Sequence, residues 1–212
     1  MPYRLRDGLS FCFVGGEVIF LDLPRDRYFA LSPSAAELLT SMIGGVANPR
    51  DIAGTPLEAL FEESKEAASI APFVLQVPSK MIDASASMSP ARDLAAVSHA
   101  HVDAYARLRI QPLHRILRAL KPEPPRFSCS ADVASLVAAF RKSDAVISRQ
   151  DRCLWKSLAL ILYLRRKGVR ARLVFGVAVR PFHAHCWVQT DEALLIDEPD
   201  VVAGFVPILS VP

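Results

Sequence analysis

Three residues of this chain have the types and the order that thiol chemistry needs: Cys153, then His185 32 positions on, then Asp197 12 positions beyond that. A thiol becomes a strong nucleophile when a base takes its proton. A histidine base in turn needs an acid to fix its tautomer and to stabilise its charge. Cysteine, histidine and aspartate can therefore serve as nucleophile, base and orienting acid. The elements around each residue decide whether the three can meet.

Residues 151–167 are rich in helix formers. Arg165, Arg166 and Lys167, followed by Gly168, mark the end of that helix. Ser148 with Asp151 three positions on forms an approximate capping box at its start. Either residue as N-cap puts Cys153 within about the first turn and a half, where unpaired amides and the helix dipole favour a thiolate. Leu154, Leu158, Ile161 and Leu162 can bury the helix. On the helix by itself, Cys153 reads more simply as a small buried apolar residue.

The following residues change that balance. Residues 169–179 are β-branched and apolar, 181–184 read as a connection, and 185–189 read as a second strand. Asp191 and Glu192 make a turn, and 193–196 are expected as a third strand ending at Asp197. Connections this short imply antiparallel neighbours. Along a strand His185, Trp187 and Gln189 share one face, while Cys186 and Val188 share the other. His185 can then point at the helix tip while Asp197, on the paired strand, reaches its second nitrogen. His183 is the competing base. His185 is preferred because it belongs to the strand, whereas His183 falls in the connection after Pro181. A metal site built from His183, His185 and Cys186 is disfavoured, because Cys186 points away. There is no CxxC pair for structural zinc, and no metal is expected.

Cys153, the segment His185-Cys186-Trp187-Val188 and the segment Ile196-Asp197-Glu198-Pro199-Asp200 resemble the leader-peptidase domain of lasso peptide biosynthesis B proteins. The resemblance covers residues 110–212. It implies a transglutaminase-like, papain-related fold with a Cys153–His185–Asp197 triad and no bound cofactor. It also implies two partners, a precursor peptide with its leader and an asparagine-synthetase-like lasso cyclase, with any ATP requirement lying in the cyclase. The backbone N–H of Cys153 is the expected oxyanion donor, with Gln150 as a second. Cys186 departs from the pattern, which has a small residue there, and it is expected to put a second thiol beside the base.

A chain of 212 residues allows one large or two small domains. With 51% apolar and 22% charged residues it has the composition of a soluble globular protein. A net charge of +3 is too mild to argue for nucleic acid. The first residues lack a signal peptide's apolar core, and the apolar run 158–164 is too short to span a bilayer. Four widely spaced cysteines then fit reduced thiols and a cytoplasmic location.

Toward the N-terminus, 9–14, 17–21 and 28–31 read as strands, with Gly15-Gly16 turning between the first two. Ser32-Pro33 opens a helix that Gly44-Gly45 closes. A second helix is expected over 56–63, and a third near Glu66 that ends before Pro78. Strands followed by helices suggest an α+β module. The stretch from Val18 to Leu23, the stretch from Arg27 to Ser32 and the helix containing Ala36 to Leu39 resemble the PqqD-like leader-recognition element, a winged-helix module. That resemblance implies that the leader adds a strand beside Arg27, Tyr28, Phe29, Ala30 and Leu31. By alternation one of Tyr28 and Phe29 is core and the other faces the leader.

Residues 79–90 read as a linker and 94–120 as helix, broken at Gln111-Pro112. His99 and His101 do not share a helical face, so they read as surface or packing residues. Another amphipathic helix is expected over 131–141. The expected organisation is a recognition domain at 1–80, a linker and connecting helix at 81–109, and a peptidase domain at 110–212. The fold class is α+β, and the expected function is cleavage of a lasso precursor at its leader–core junction. A transglutaminase-like acyl transferase on the same fold and a non-catalytic peptide-binding accessory protein are the alternatives.

Overall fold

The computed structural model describes residues 3–46, 49–64, 70–84, 91–120, 130–147 and 153–212. It opens with a short strand β1 (Tyr3–Leu5), followed by an antiparallel meander of β2 (Leu9–Val14), β3 (Glu17–Asp22) and β4 (Arg27–Ala30). Gly15 and Gly16 take positive φ values of 58° and 82° at the β2–β3 turn, the conformation a two-residue hairpin needs. The helix α1 (Pro33–Ile43) begins with proline in its first turn, as expected.

Both faces of the meander are covered. Phe11, Val18 and Phe20 pack under α1 with Leu39 and Leu57. Cys12, Ile19 and Leu21 face the other way and join the large core of the chain's second half. This explains the unbroken apolar run of β3, since a strand buried on both faces has no polar face to alternate.

Residues 56–63 do not form the expected helix. A single 3₁₀ turn, Glu58–Leu60, gives way to a strand β5 (Phe61–Glu63) that pairs antiparallel with β1. Leu57, Leu60 and Phe61 are buried at a helix-like spacing, but pairing with the distant β1 overrides the local preference. The helix expected near Glu66 is also corrected, for residues 70–78 contain no helix, and 65–69 lie outside the described residues. The chain from 70 to 84 instead runs extended between the two halves. Phe73 N donates to Phe11 O at 2.7 Å, Gln76 O accepts from Gln189 Nε2 at 2.9 Å, and Ile82 N donates to Leu194 O at 2.8 Å. Backbone that must cross a surface satisfies its polar groups where it lands.

The second half contains α2 (Ala91–Ile110), α3 (Leu113–Leu120), α4 (Ser130–Ile147) and α5 (Cys153–Arg166). The break between α2 and α3 falls at Gln111 and Pro112, as expected. Every residue of α5 from Ser157 to Leu164 is buried. A helix apolar on all sides belongs in the middle of a core, and α5 is packed among α2, α4 and a sheet. That sheet has the order β7–β6–β8, from β6 (Arg172–Ala178) and β7 (His183–Gln189), then, after a one-turn helix α6 (Pro199–Val202), β8 (Val206–Val211). The third strand is thus β8, not residues 193–196, of which Leu194 makes only isolated bridges to Met81 and Gln189. Pro207 disguises β8 in sequence. It is accommodated by a register shift between Phe175 and Gly176. Among the described residues, no helix is long and apolar enough to cross a membrane.

Candidate active site

Cys153 is the first residue of α5. The expected caps Ser148 and Asp151, together with Gln150, lie outside the described residues. The start of α5 is fixed on two sides. Trp155 Nε1 donates to His101 O at 2.9 Å, and Ser157 Oγ donates to Cys186 O at 3.0 Å. His101 is buried and stacks with Phe140 at 5.0 Å, while His99 is exposed and bonded to Arg166, so both are surface or packing residues.

Strand β7 begins at His183, two residues earlier than expected, so both histidines belong to it. Strand membership therefore does not separate them, and their surroundings do. His183 is exposed. His185 is partly buried between two rings, Trp187 at 6.2 Å and Phe205 at 5.2 Å. Trp187 is itself tethered, donating from Nε1 to Gln189 Oε1 at 2.8 Å. Gly176 faces His185 across β6 and β7, and a Cβ there would come within 2.6 Å of Trp187 Cζ3. Only glycine leaves room for the indole that backs the imidazole.

Asp197 reaches His185 from a loop, not from a paired strand. Its Oδ1 lies 3.1 Å from His185 Nε2. The loop is held by Leu194 N on Lys80 O, Leu195 N on Val188 O, and Arg141 on Leu195 O. Asp197 Oδ2 is buried with no hydrogen-bond partner among the described residues. With Nε2 turned to Asp197, Nδ1 is the nitrogen left for Cys153.

Hydrogen bonds from Cys186 and then from His185 draw the Cys153 thiol down to about 4, against the opposing effect of burial. Burial pushes His185 down, but its hydrogen bonds and charge contacts with Asp197 and Cys153 outweigh this and raise it to about 9. A thiolate beside an imidazolium is the resulting state. Cys186, the residue after the base, also acts on the nucleophile. Its thiol is pushed well above the ordinary range by the Cys153 thiolate and by burial.

The five residues expected to bind a leader sit on β4 or just after it. Strand β4 is an outer strand of its sheet. Alternation divides its two rings between two cores, in place of one core ring and one leader-facing ring. Phe29 stacks on Phe20 at 5.4 Å in the N-terminal core, while Tyr28 packs on the large core and tilts against Phe182 at 5.6 Å. The guanidinium of Arg27 lies 5.3 Å over Phe29, and Leu31 N donates to Val18 O. Tyr28, Phe29 and Ala30 share a cleft of about 310 Å³ with Val179, Arg180 and Phe182 of the β6–β7 connection.

Sequence reasoning missed Ser157, Gly176 and Phe205 as supporting residues. Gly176, inside a strand of large apolar residues, carried a signal of close approach. Among the described residues no group of three or more His, Cys, Asp or Glu could hold a metal ion. Comparison with known proteins gives one finding. A family model described as the transglutaminase-like superfamily matches residues 98–210, which contain Cys153, His185 and Asp197. No curated protein and no solved structure matches the chain.

Proposed function

The chain belongs to the transglutaminase-like superfamily, and from that premise we propose that it is a cysteine peptidase that cleaves a ribosomally made lasso peptide precursor at its leader–core junction. The observation that carries this reading is the site itself: Cys153 opens α5, and the neighbouring His185 holds Asp197 at 3.1 Å. The thiolate of Cys153 attacks the scissile carbonyl. The backbone N–H of Cys153, in the first described turn of α5, receives the developing oxyanion. The imidazolium of His185 gives its proton to the leaving amine, and the neutral ring then takes a proton from the water that opens the thioester. Asp197 stabilises the imidazolium that stands before the first transfer and is restored by the second.

The substrate and the partners come from the resemblance. In this reading residues 1–80 are a PqqD-like module that captures the leader along β4, 81–109 connect, and 110–212 cut. The released core passes to an asparagine-synthetase-like cyclase in the cytoplasm, which supplies any ATP chemistry. The edge position of β4 supports strand addition. In the β3–β4 pair Leu31 N bonds to Val18 O, so by alternation the amides of Tyr28 and Ala30 turn outward.

Incubating a precursor with the native protein and with Cys153→Ala tests the chemistry. Cleavage should stop in the variant while precursor binding persists. Cleavage at the native rate would remove Cys153 from the mechanism. Family membership also favours a second reading, acyl transfer from the same thioester to an amine in place of water. Product masses with and without an added primary amine separate the two. A short precursor gene and a cyclase gene beside this one would support the lasso assignment.

A further inference from the structure

We propose that Cys186 is a positioning residue for the nucleophile, its S–H and its main-chain N–H both donating to Cys153 Sγ. This rests on the reading of Cys153 as the attacking group. Strand β7 is an outer strand of the order β7–β6–β8, so among the described residues one of its edges pairs with no named strand and is met only by Leu194 and Leu195 near Val188 and Gln189. Along an antiparallel strand the N–H and C=O of one residue point to the same side. The Cys186 C=O accepts from Ser157 Oγ of α5 at 3.0 Å, so it points off that edge toward the helix. The Cys186 N–H points the same way. Ser157 is four residues after Cys153, and residues at that spacing lie on one helix face. The thiol sits one turn nearer the N-terminus, where the Cys186 N–H is aimed. The Cys186 side chain is 2% exposed, alternates away from His185 and Trp187, and packs in the core that contains the buried residues of α5. A buried S–H placed there has the Cys153 sulfur as its acceptor.

The effect on charge agrees with the placement, because the side-chain hydrogen bond from Cys186 is the largest influence holding Cys153 near 4, and its main-chain hydrogen bond acts in the same direction. The other titratable groups that act on this cluster include His185 with Asp197, Tyr28 on β4, and Cys12 on β2. Burial pushes both Tyr28 and Cys12 up, so they are neutral where the pair works. The two kinds of donor differ in one respect. His185 must release its proton to the leaving amine, and its support of the sulfur ends at that moment. Cys186 keeps its protons throughout the cycle, so it holds the sulfur in place while the imidazole changes state.

Alkylation of Cys153 by iodoacetamide, followed by mass spectrometry of the Cys153 peptide from pH 3 to pH 10, tests this in the full chain. The proteins are native, Cys186→Ala, Cys186→Val and Cys186→Ser. Valine keeps approximately the volume without a donor, in case alanine leaves a cavity that unfolds the site. The native midpoint should lie near 4. It should rise by about one pH unit in the folded Ala or Val variant, the tenfold change expected for losing a hydrogen bond to a charged group. Serine should restore most of the shift. A native-like midpoint in Ala or Val overturns the proposal. A native Cys153 that titrates like an ordinary thiol, near ~8.5, overturns the nucleophile assignment on which it rests, and the two failures are distinct.

Discussion

Cys153 and His185 hold opposite charges over one span of pH, and that span bounds the chemistry. Below about 4 the thiol regains its proton and the nucleophile is lost. Above about 9 the imidazolium loses its proton, and with it the acid that serves the leaving amine. The rate of precursor cleavage should therefore follow a bell with limbs near those values, measured as kcat/KM across pH. A profile with one limb would break the pair apart. Asp197→Asn removes a charge whose hydrogen bond and field raise His185, so its upper limb should move down. Its kcat should fall by as much as about 10⁴-fold, as when the acid of such a triad is neutralised. His185→Ala should cost orders of magnitude in kcat, whereas His183→Ala should leave the rate near native, because His183 is exposed and Asp197 is bonded to its neighbour. Equal losses in the two would point to a shared role.

The imidazole is only as well placed as the strands and helix behind it. Gly176 of β6 leaves the space that Trp187 fills, with Phe205 Cβ 3.1 Å from the missing Cβ. Gly176→Ala should destabilise the protein by about 1–3 kcal/mol through overpacking. It should also lower the cleavage rate, because the displaced indole is the ring that stacks on His185. Thermal unfolding and kcat together check this. A fully stable, fully active variant would show that the contact has slack. At the other sheet edge, Ala30→Pro removes an outward main-chain donor of β4. Leader affinity, measured by titration, should drop about tenfold for one lost backbone hydrogen bond, and no change would argue against strand addition there. Such local features are also where the sequence spoke most clearly. The helix that carries Cys153 and stops at Gly168, the two strands after it and the β2–β4 meander were legible from period, the closing glycine and turns. Partners distant in sequence were not. Strand β5 exists because β1 pairs with it, and β8 was hidden by Pro207 and a register shift. Spacing alone indicated that Asp197 meets His185, but it suggested a strand where the chain uses a tethered loop. Alternation put Cys186 on the face opposite His185, yet only the packed structure reveals that α5 lies on that face.

At the scale of the molecule, the meander joins two cores through one sheet. Phe11, Val18 and Phe20 belong to the small core under α1, while Cys12, Ile19 and Leu21 belong to the large one around α5 and β6. The turn at Gly15 approaches the β6–β7 hairpin so closely that a Cβ there would lie 2.6 Å from Val179 Cγ2. Tyr28 and Phe182 meet beside the same hairpin. Strands β4 and β7, sharing packing in this way, should not melt separately. Ile19 is 3% exposed and points from β3 into the large core, so Ile19→Ala removes buried methyl groups there at about 2–5 kcal/mol. The chain's two tryptophans, Trp155 and Trp187, both lie in the second half. They report on a region remote in sequence from residue 19. If the sheet couples the cores, the transition followed by tryptophan fluorescence should shift by roughly 1 M urea or more with its slope unchanged. Far-UV circular dichroism should shift with it. A tryptophan transition that stays in place while circular dichroism shows an earlier, separate loss would mean that the halves fold independently. The shared sheet would then be a contact between two bodies and not a common core.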